Sequence, residues 1–321
     1  MMMMKAWRVH ELGEPADVLR FEDIDIPTPG EGQVLVKVRA AALNFPDLLM
    51  IAGTYQVRPP LPFIPGVELT GEVAETGQRV IGGPANGFGA FAEYAVLDAA
   101  AAWPVPDGMS DEQAAAFFLT YQTGHVGLHR RARLRAGEVV LVHAGAGGVG
   151  SAAIQLAKAA GATVIATAGG PEKVAVCRDL GADHAIDYLA EDFVGPVKEI
   201  TAGRGADVIY DPVGGDIFDS SRKCIAFEGR IVVVGFTSGR IAEAPTNHAL
   251  VKNYSVVGLH WGLYRSYQPS LISEVHDDLT RLYARGAIEP LVSQTLPLDQ
   301  APQALAALGR RGTIGKVVLT P

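Results

Sequence analysis

Three glycines at fixed spacing carry the clearest chemistry in this chain. Gly145, Gly147 and Gly150 stand in Ala144-Gly145-Ala146-Gly147-Gly148-Val149-Gly150, a G-x-G-x-x-G pattern. The apolar run Glu138-Val139-Val140-Leu141-Val142-His143 precedes it and the alanine-rich stretch Ser151–Ala160 follows. The motif therefore ends a strand and opens a helix, the context in which it means dinucleotide binding. Gly145 permits the tight turn, Gly147 lets the backbone approach a pyrophosphate, and Gly150 lets helix and strand pack closely. The helix start then offers unpaired N–H groups and a positive dipole end to the phosphates, with Ala146, Gly147, Gly148 and Val149 as the cradle. No Lys-Ser/Thr follows Gly150, which excludes a nucleoside-triphosphate P-loop.

The next strand indicates which dinucleotide. Thr163-Val164-Ile165-Ala166-Thr167 is the expected second strand, where an NAD site places Asp or Glu for the ribose hydroxyls. Here the strand runs into Ala168-Gly169-Gly170 with no carboxylate. Lys173 follows within reach and Tyr188 comes after the next apolar stretch. A missing acid leaves room for a 2′-phosphate, and a nearby lysine attracts it as a point charge. NADPH is favoured over NADH.

These residues need a scaffold, and the sequence organises itself into three pieces. Lys5 to about Ala102 is strand and turn, punctuated by Pro27, Pro29, Gly30, Gly32, Pro59, Pro60, Pro62 and Pro65. Ser110 then reads as an N-cap for a helix over Asp111–Gly127. From Gly137 to Gly235 strands alternate with helices: Val139–Ala144, Ser151–Ala160, Thr163–Thr167, Glu172–Leu180, Ala185–Ile186, Val208–Tyr210, Phe218–Ala226 and Ile231–Gly235. That alternation predicts a doubly wound parallel sheet. The tail from Val256 returns to mixed short elements.

The 321 residues suffice for two domains. The net charge of −8 speaks against nucleic-acid binding. No apolar run is long enough to span a bilayer. The opening Met1-Met2-Met3-Met4-Lys5-Ala6-Trp7-Arg8 lacks the apolar segment of a signal peptide, and its methionines read as start-site ambiguity. Cys177 and Cys224 are the only cysteines, too few for a disulfide framework or a Cys-rich zinc site. They read as reduced packing residues, and the cytoplasm is the expected location. The histidines His125, His129, His143, His184, His248 and His276 show no metal spacing. The acid pairs at Glu22, Glu191 and Asp277 read as solvated charge.

Several stretches resemble the medium-chain dehydrogenase/reductase superfamily, and within it the zinc-free quinone-oxidoreductase branch, the zeta-crystallin-like enzymes. They are Ala41–Asp47, Pro65–Val73, Leu119–Gly124, Ala144–Gly150, Asp211–Gly215 and Gly315–Leu319, and the resemblance they carry extends over essentially the whole chain. The resemblance implies an α/β architecture: a GroES-like β-barrel catalytic domain plus a Rossmann doubly wound parallel-sheet cofactor domain, with nicotinamide and substrate in a cleft. It places the catalytic domain at 1–120, the NADPH domain at 121–258 and a return to the catalytic domain at 259–321.

The departures from zinc alcohol dehydrogenases bear on chemistry. Their Gly-His-Glu reads Gly66-Val67-Glu68 here, and their structural-zinc cysteines are missing. A catalytic zinc takes three protein ligands, so no metal is expected. Without a Lewis acid, alcohol oxidation gives way to acceptors that take hydride readily. By resemblance, Asn44 and Thr123 contact the nicotinamide ribose and ring. Gly169, Lys173 and Tyr188 form the 2′-phosphate pocket, and Gly235, Phe236, Thr237 and Lys316 add cofactor contacts. Tyr55 is the catalytic candidate, as proton donor or as pocket wall, and His260 and Trp261 shape the substrate site.

Three functions stay open: hydride transfer from NADPH to a quinone; reduction of the C=C bond of α,β-unsaturated carbonyls, enones or enoyl thioesters; and a non-catalytic cofactor-binding or structural role. The resemblance also implies a homodimer, paired through an edge strand at Tyr254–Leu259. One oddity is the short link Ala74-Glu75-Thr76-Gly77-Gln78, where related proteins carry a longer hairpin. It reads either as a true deletion or as the omission of a mobile loop.

Overall fold

A computed structural model of the chain describes residues 2–321, so Met1 of the opening methionine run lies outside the described residues. The chain divides into two compact units, Thr120–Glu289 and the combination of Met1–Leu119 with Pro290–Pro321.

The Thr120–Glu289 unit is built on six strands: β1 Val139–Val142, β2 Thr163–Ala168, β3 His184–Asp187, β4 Ala206–Asp211, β5 Ile225–Val233 and β6 Ser255–Gly258. Their spatial order is β3-β2-β1-β4-β5-β6, and every neighbouring pair is parallel. The chain winds outward from β1 to β3, returns, and winds outward again from β4, which is the doubly wound topology. Every residue of β1 is buried, as its unbroken Val-Val-Leu-Val requires when helices cover both faces. Helices Gly148–Ala159, Pro171–Asp179, Val194–Ile200, Gly215–Ser221 and Thr246–Lys252 make the connections.

Three sequence expectations are corrected here. The stretch Phe218–Ala226 is not one helical element: the helix ends at Ser221 and β5 begins at Ile225. The Val194–Ile200 helix is absent from the expected series because Gly195 and Pro196 mask it, although proline is tolerated in a first turn. The tail after Val256 contains a sixteen-residue helix, Pro269–Ala284, with Ile272, Val275, His276 and Leu279 buried. That i, i+3, i+4, i+7 spacing is one helical stripe. Gln122 Nε2 donates to the Ile272 carbonyl at 2.9 Å, and Tyr121 Oη and Gln155 Nε2 donate to the Glu289 carbonyl at 2.8 and 3.0 Å. Residues 259–289 therefore belong with the parallel sheet, and the return falls at Pro290, not at 259.

The other unit is mostly antiparallel. Its seven-stranded sheet runs Val292–Pro297, Lys316–Thr320, Gln33–Ala42, Leu69–Val73, Arg79–Gly82, Trp103–Pro104, with Tyr94–Asp98 also paired to Gln33–Ala42. Along the central strand Val36, Val38 and Ala40 are buried while Lys37 and Arg39 are exposed, the period-two pattern of a strand with one core face. The C-terminal strand is stitched in antiparallel, with Val318 opposite Ala42. The short link Ala74–Gln78 closes its hairpin directly. Val73 N–H donates to the Gln78 carbonyl at 2.9 Å, Gly77 N–H donates to the Val73 carbonyl at 2.8 Å, and Gly77 takes φ +70°. Ser110 Oγ accepts the Gln113 N–H at 3.2 Å and the Gln113 side chain accepts the Ser110 N–H at 3.4 Å, a reciprocal cap for the helix Asp111–His125.

Candidate functional site

The glycine loop sits at the carboxyl end of β1. His143 N–H donates to the Tyr210 carbonyl on β4, and the turn is made at Ala144, which takes φ +51°. A non-glycine residue in the left-handed region stores about 1–3 kcal/mol and persists only where its surroundings fix it. Gly145 N–H donates to the Thr167 carbonyl at 2.9 Å and Gly147 N–H to the Ala144 carbonyl at 2.9 Å. The glycines serve close approach more than turning. A Cβ on Gly150 would lie 2.1 Å from the Ala144 oxygen, and one on Gly145 would lie 2.8 Å from Cys177 Sγ. Gly147 caps the helix Gly148–Ala159 with extended backbone and has no side chain to satisfy its first N–H groups. With the Gly147 N–H turned onto Ala144, Ala146, Gly148 and Val149 bring backbone amides to a helix start, which suits an anionic pyrophosphate.

At the end of β2, Gly169 lies against Tyr188: a Cβ there would meet the phenol oxygen at 2.8 Å. Gly170 takes φ +88° and caps the helix Pro171–Asp179, whose first turn carries the half-buried Lys173. Gly169 and Tyr188 therefore meet at this turn, and Lys173 lies in the first turn of the helix that follows it. The sequence reading missed Asp187. Its Oδ1 accepts the N–H groups of Gly170 and Leu189 at 2.9 and 3.0 Å. A carboxylate does stand beside this turn, but it comes from the end of β3 and is turned toward backbone. The only early signal for it was its place at the end of an apolar run.

The Gly235-Phe236-Thr237 turn leaves β5 and rests on the Asp211–Gly215 turn that leaves β4. Val234, Thr237 and Ser238 N–H groups donate to the carbonyls of Asp211, Pro212 and Val213 at 2.9, 3.1 and 3.0 Å. Asp211 is 1% exposed and its Oδ1 accepts from Val213 and Gly214, while burial pushes its carboxyl above the usual range. His260 and Trp261 follow β6; Trp261 is buried, and burial lowers the His260 imidazole, which stays neutral. Thr123 lies buried in the helix Asp111–His125.

Within the antiparallel unit, Asn44 and Lys316 are brought into direct contact. Lys316 Nζ donates to Asn44 Oδ1 at 2.6 Å, to the Leu43 carbonyl at 2.7 Å and to Glu68 Oε1 at 2.9 Å. Asn44 Nδ2 donates to Glu68 Oε1 at 2.8 Å and to the Ala42 carbonyl at 3.1 Å, and Leu119 N–H donates to Glu68 Oε2 at 2.7 Å. All three side chains are buried, Glu68 wholly so. Lys316 and Asn44, each expected to face the cofactor, spend these polar atoms on one another and on Glu68. A buried ammonium needs such partners, because its desolvation is otherwise prohibitive.

Asp47 adds a second buried carboxylate. Its Oδ2 accepts the Asn44 N–H at 2.8 Å and its Oδ1 the Gly66 N–H at 3.2 Å, and burial pushes its carboxyl up to about 7. Tyr55 packs partly buried against the same core, and burial, with the charge of Asp47, raises its phenol. Among the described residues no group of three His, Cys, Asp or Glu side chains is placed to hold a metal.

Removing the lysine alone strands Glu68. Breaking a buried pair costs about 3–5 kcal/mol, so Lys316→Met lowers stability by that order and a Lys316→Met/Glu68→Gln double variant recovers part of it. Urea denaturation checks this; equal losses in the two variants would contradict the pairing. Asp47 predicts a pH effect. Its folded value of about 7 lies above the unfolded value of about 3.9. The native state therefore binds the proton more tightly, and this contribution is complete below about pH 4 and lost as pH rises through 7. Denaturation midpoints across that range should slope downward with pH, and the slope should flatten in Asp47→Asn.

Residues 30–107 match the family described as alcohol dehydrogenase GroES-like domain, and residues 148–277 match the zinc-binding dehydrogenase family. The chain is 39% identical over 325 residues to a quinone oxidoreductase-like protein 2 homolog of Nematostella vectensis, covering 98% of this chain and 88% of that protein. The crystal structure of Escherichia coli quinone oxidoreductase complexed with NADPH superposes with TM-score 0.92 at 32% identity, covering 99% of this chain and all of the other. The Thermus thermophilus quinone oxidoreductase, also solved with NADPH, gives TM-score 0.86 at 34% identity, covering 99% of this chain and 100% of that one. With its GroES-like and Rossmann-type units, the chain belongs to the medium-chain dehydrogenase/reductase superfamily, in its quinone-oxidoreductase branch.

Proposed function

We propose that this chain is an oxidoreductase that transfers hydride from NADPH to a quinone without a bound metal. The carrying observation is the amide cradle at the end of β1, kept open by glycines whose side chains would strike Ala144 and Cys177. The NADPH complexes of similar quinone oxidoreductases support the choice of dinucleotide. Gly145–Gly150 hold the pyrophosphate, while Gly169, Lys173 and Tyr188 admit the 2′-phosphate. Gly235, Phe236 and Thr237 offer turn backbone to the cofactor, Thr123 presents a hydroxyl, and Lys316 fixes Asn44 from beneath. Bound NADPH supplies the hydride.

Metal independence rests on the donor set. Val67 stands where zinc-dependent relatives carry a histidine, and Glu68 and Asn44 are already engaged by Lys316. Hydride transfer leaves a hydroquinone anion that takes one proton from water, so this reaction asks no acid of the protein.

A second reading, reduction of an activated C=C bond, is favoured by one observation. Tyr55 is partly buried and its phenol O–H can donate a hydrogen bond to a substrate carbonyl as charge develops there, while burial and the charge of Asp47 raise it and so make release of the proton itself harder. Oxidation of NADPH should therefore be followed with a quinone panel against enones and enoyl thioesters, with and without chelator. Quinone turnover that survives chelation supports the first reading. Tyr55→Phe should leave quinone rates within about threefold. If alkenes are the substrates, it should cost them roughly 10²-fold or more.

The exposed side of β6 supports a homodimer. It ends the sheet, Val256 is 40% exposed, and Leu250 and Val251 in the preceding helix are 77% and 78% exposed. An unpaired edge is a liability that a two-fold partner covers. Light scattering should give twice the chain mass at micromolar concentration, and Val256→Asp should shift it toward the monomer. A monomeric wild type would refute the pairing.

A further inference from the structure

His143 closes the strand region of β1 one residue before the turn at Ala144, and its side chain is wholly buried. The ring spans two elements: Nδ1 lies 2.9 Å from Thr167 Oγ1, and Nε2 lies 2.8 Å from Ser221 Oγ. Phe193 packs edge-on against it, with ring centroids 4.8 Å apart. Burial lowers its pKa to about 3, so the imidazole is neutral.

The network assigns the tautomer. Ser221 Oγ donates its only hydrogen to the Ile217 carbonyl at 2.7 Å, so toward the ring it accepts. Nε2 therefore carries the hydrogen and Nδ1 the lone pair, to which the Thr167 hydroxyl donates. Each of these groups has one role, and the network is fully satisfied.

Thr167 is thereby held from both ends. Its carbonyl accepts the Gly145 N–H at 2.9 Å, which ties it to the pyrophosphate turn. Its hydroxyl is fixed by the His143 ring, and two residues later the backbone reaches Gly169, where Tyr188 closes over the 2′-phosphate turn. The ring thus adds a side-chain tie between the first turn and the strand that leads to the second, beside the backbone pairing of β1 with β2.

We propose that His143 is a positioning residue that fixes the separation of the two phosphate-recognising turns and so contributes to selection of NADPH over NADH. The inference rests on the NADPH reading above. It acts through geometry alone, since the ring is buried and uncharged and its two nitrogens are taken by Thr167 and Ser221.

The test is a comparison of KM and kcat with both cofactors in His143→Leu, His143→Asn and Thr167→Val. Leucine leaves the Thr167 hydroxyl without its acceptor. The loss of one neutral hydrogen bond predicts a rise of about three- to tenfold in KM for NADPH, a smaller rise for NADH and little change in kcat. Asparagine carries an acceptor oxygen at the branch where Nδ1 stood and should restore NADPH selectivity. Thr167→Val should match His143→Leu, and the double variant should be no worse than either, because both remove the same contact. A lower melting temperature with an unchanged NADPH-to-NADH ratio of KM would overturn the proposal, as would an equal rise for both cofactors. If the His143→Leu variant proves too unstable to assay, His143→Asn and Thr167→Val decide it alone. Absence of any NADPH preference in the wild type would instead refute the NADPH reading, which separates the two failures.

Discussion

The cofactor unit depends on how closely a helix can approach the strand that feeds it. The carbonyl oxygen of Ala144 occupies the space a side chain on residue 150 would need, at 2.1 Å from the position of its Cβ. Only glycine allows that approach. The helix Gly148–Ala159 then starts with no side-chain cap on its first-turn amides, which leaves them to an anionic ligand. The approach also lets Gly145 reach the Thr167 carbonyl, which sets β2 against the loop. The β2 turn follows two residues after that contact, at Gly169 and Gly170. A single methyl at residue 150 would therefore strike the loop backbone at Ala144 and Gly145.

The antiparallel unit is organised by a different constraint, the burial of charge. Glu68, Asp47 and Lys316 are all within the protein interior, and one cation faces two carboxyls. Backbone N–H groups of Asn44, Gly66 and Leu119 and the Asn44 amide take up the remaining acceptor capacity. Burial answers the rest by holding the Asp47 carboxyl high. A lysine and an asparagine thus fill the coordination needs of Glu68 at the stretch where zinc enzymes of this superfamily place a histidine. The arrangement fixes the Asn44 loop from three directions.

The parallel sheet was legible because its signals are local. Apolar runs of two to six residues, punctuated by glycine and separated by helical stretches, announce β1 to β5 and their order of appearance. The glycine loop carries its own context. What the sequence concealed was long-range or masked. Lys316 was expected to face the cofactor, and nothing local pairs it with Leu43, Asn44 and Glu68, which lie 248 to 273 positions away. His143 shows no metal spacing, and its partners 24 and 78 residues on cannot be paired by periodicity. The Val194–Ile200 helix was hidden by Gly195 and Pro196. The return point was set too early because the buried stripe of Pro269–Ala284 announces a helix without saying which core it covers. Gly145 was given the turn, yet Ala144 makes it, a distinction that φ alone reveals.

The claim on which the rest stands is that the two turns at the ends of β1 and β2 are built for a dinucleotide with a 2′-phosphate. Its most direct test is a titration of the purified protein with NADPH and with NADH, read by reduced-nicotinamide fluorescence, alongside Gly150→Val. The account predicts saturable binding of NADPH, binding of NADH at least about tenfold weaker, a gap of roughly 1.4 kcal/mol, and loss of both in the variant. Equal affinity for the two nucleotides would contradict the 2′-phosphate assignment. No binding of either would contradict the glycine loop itself.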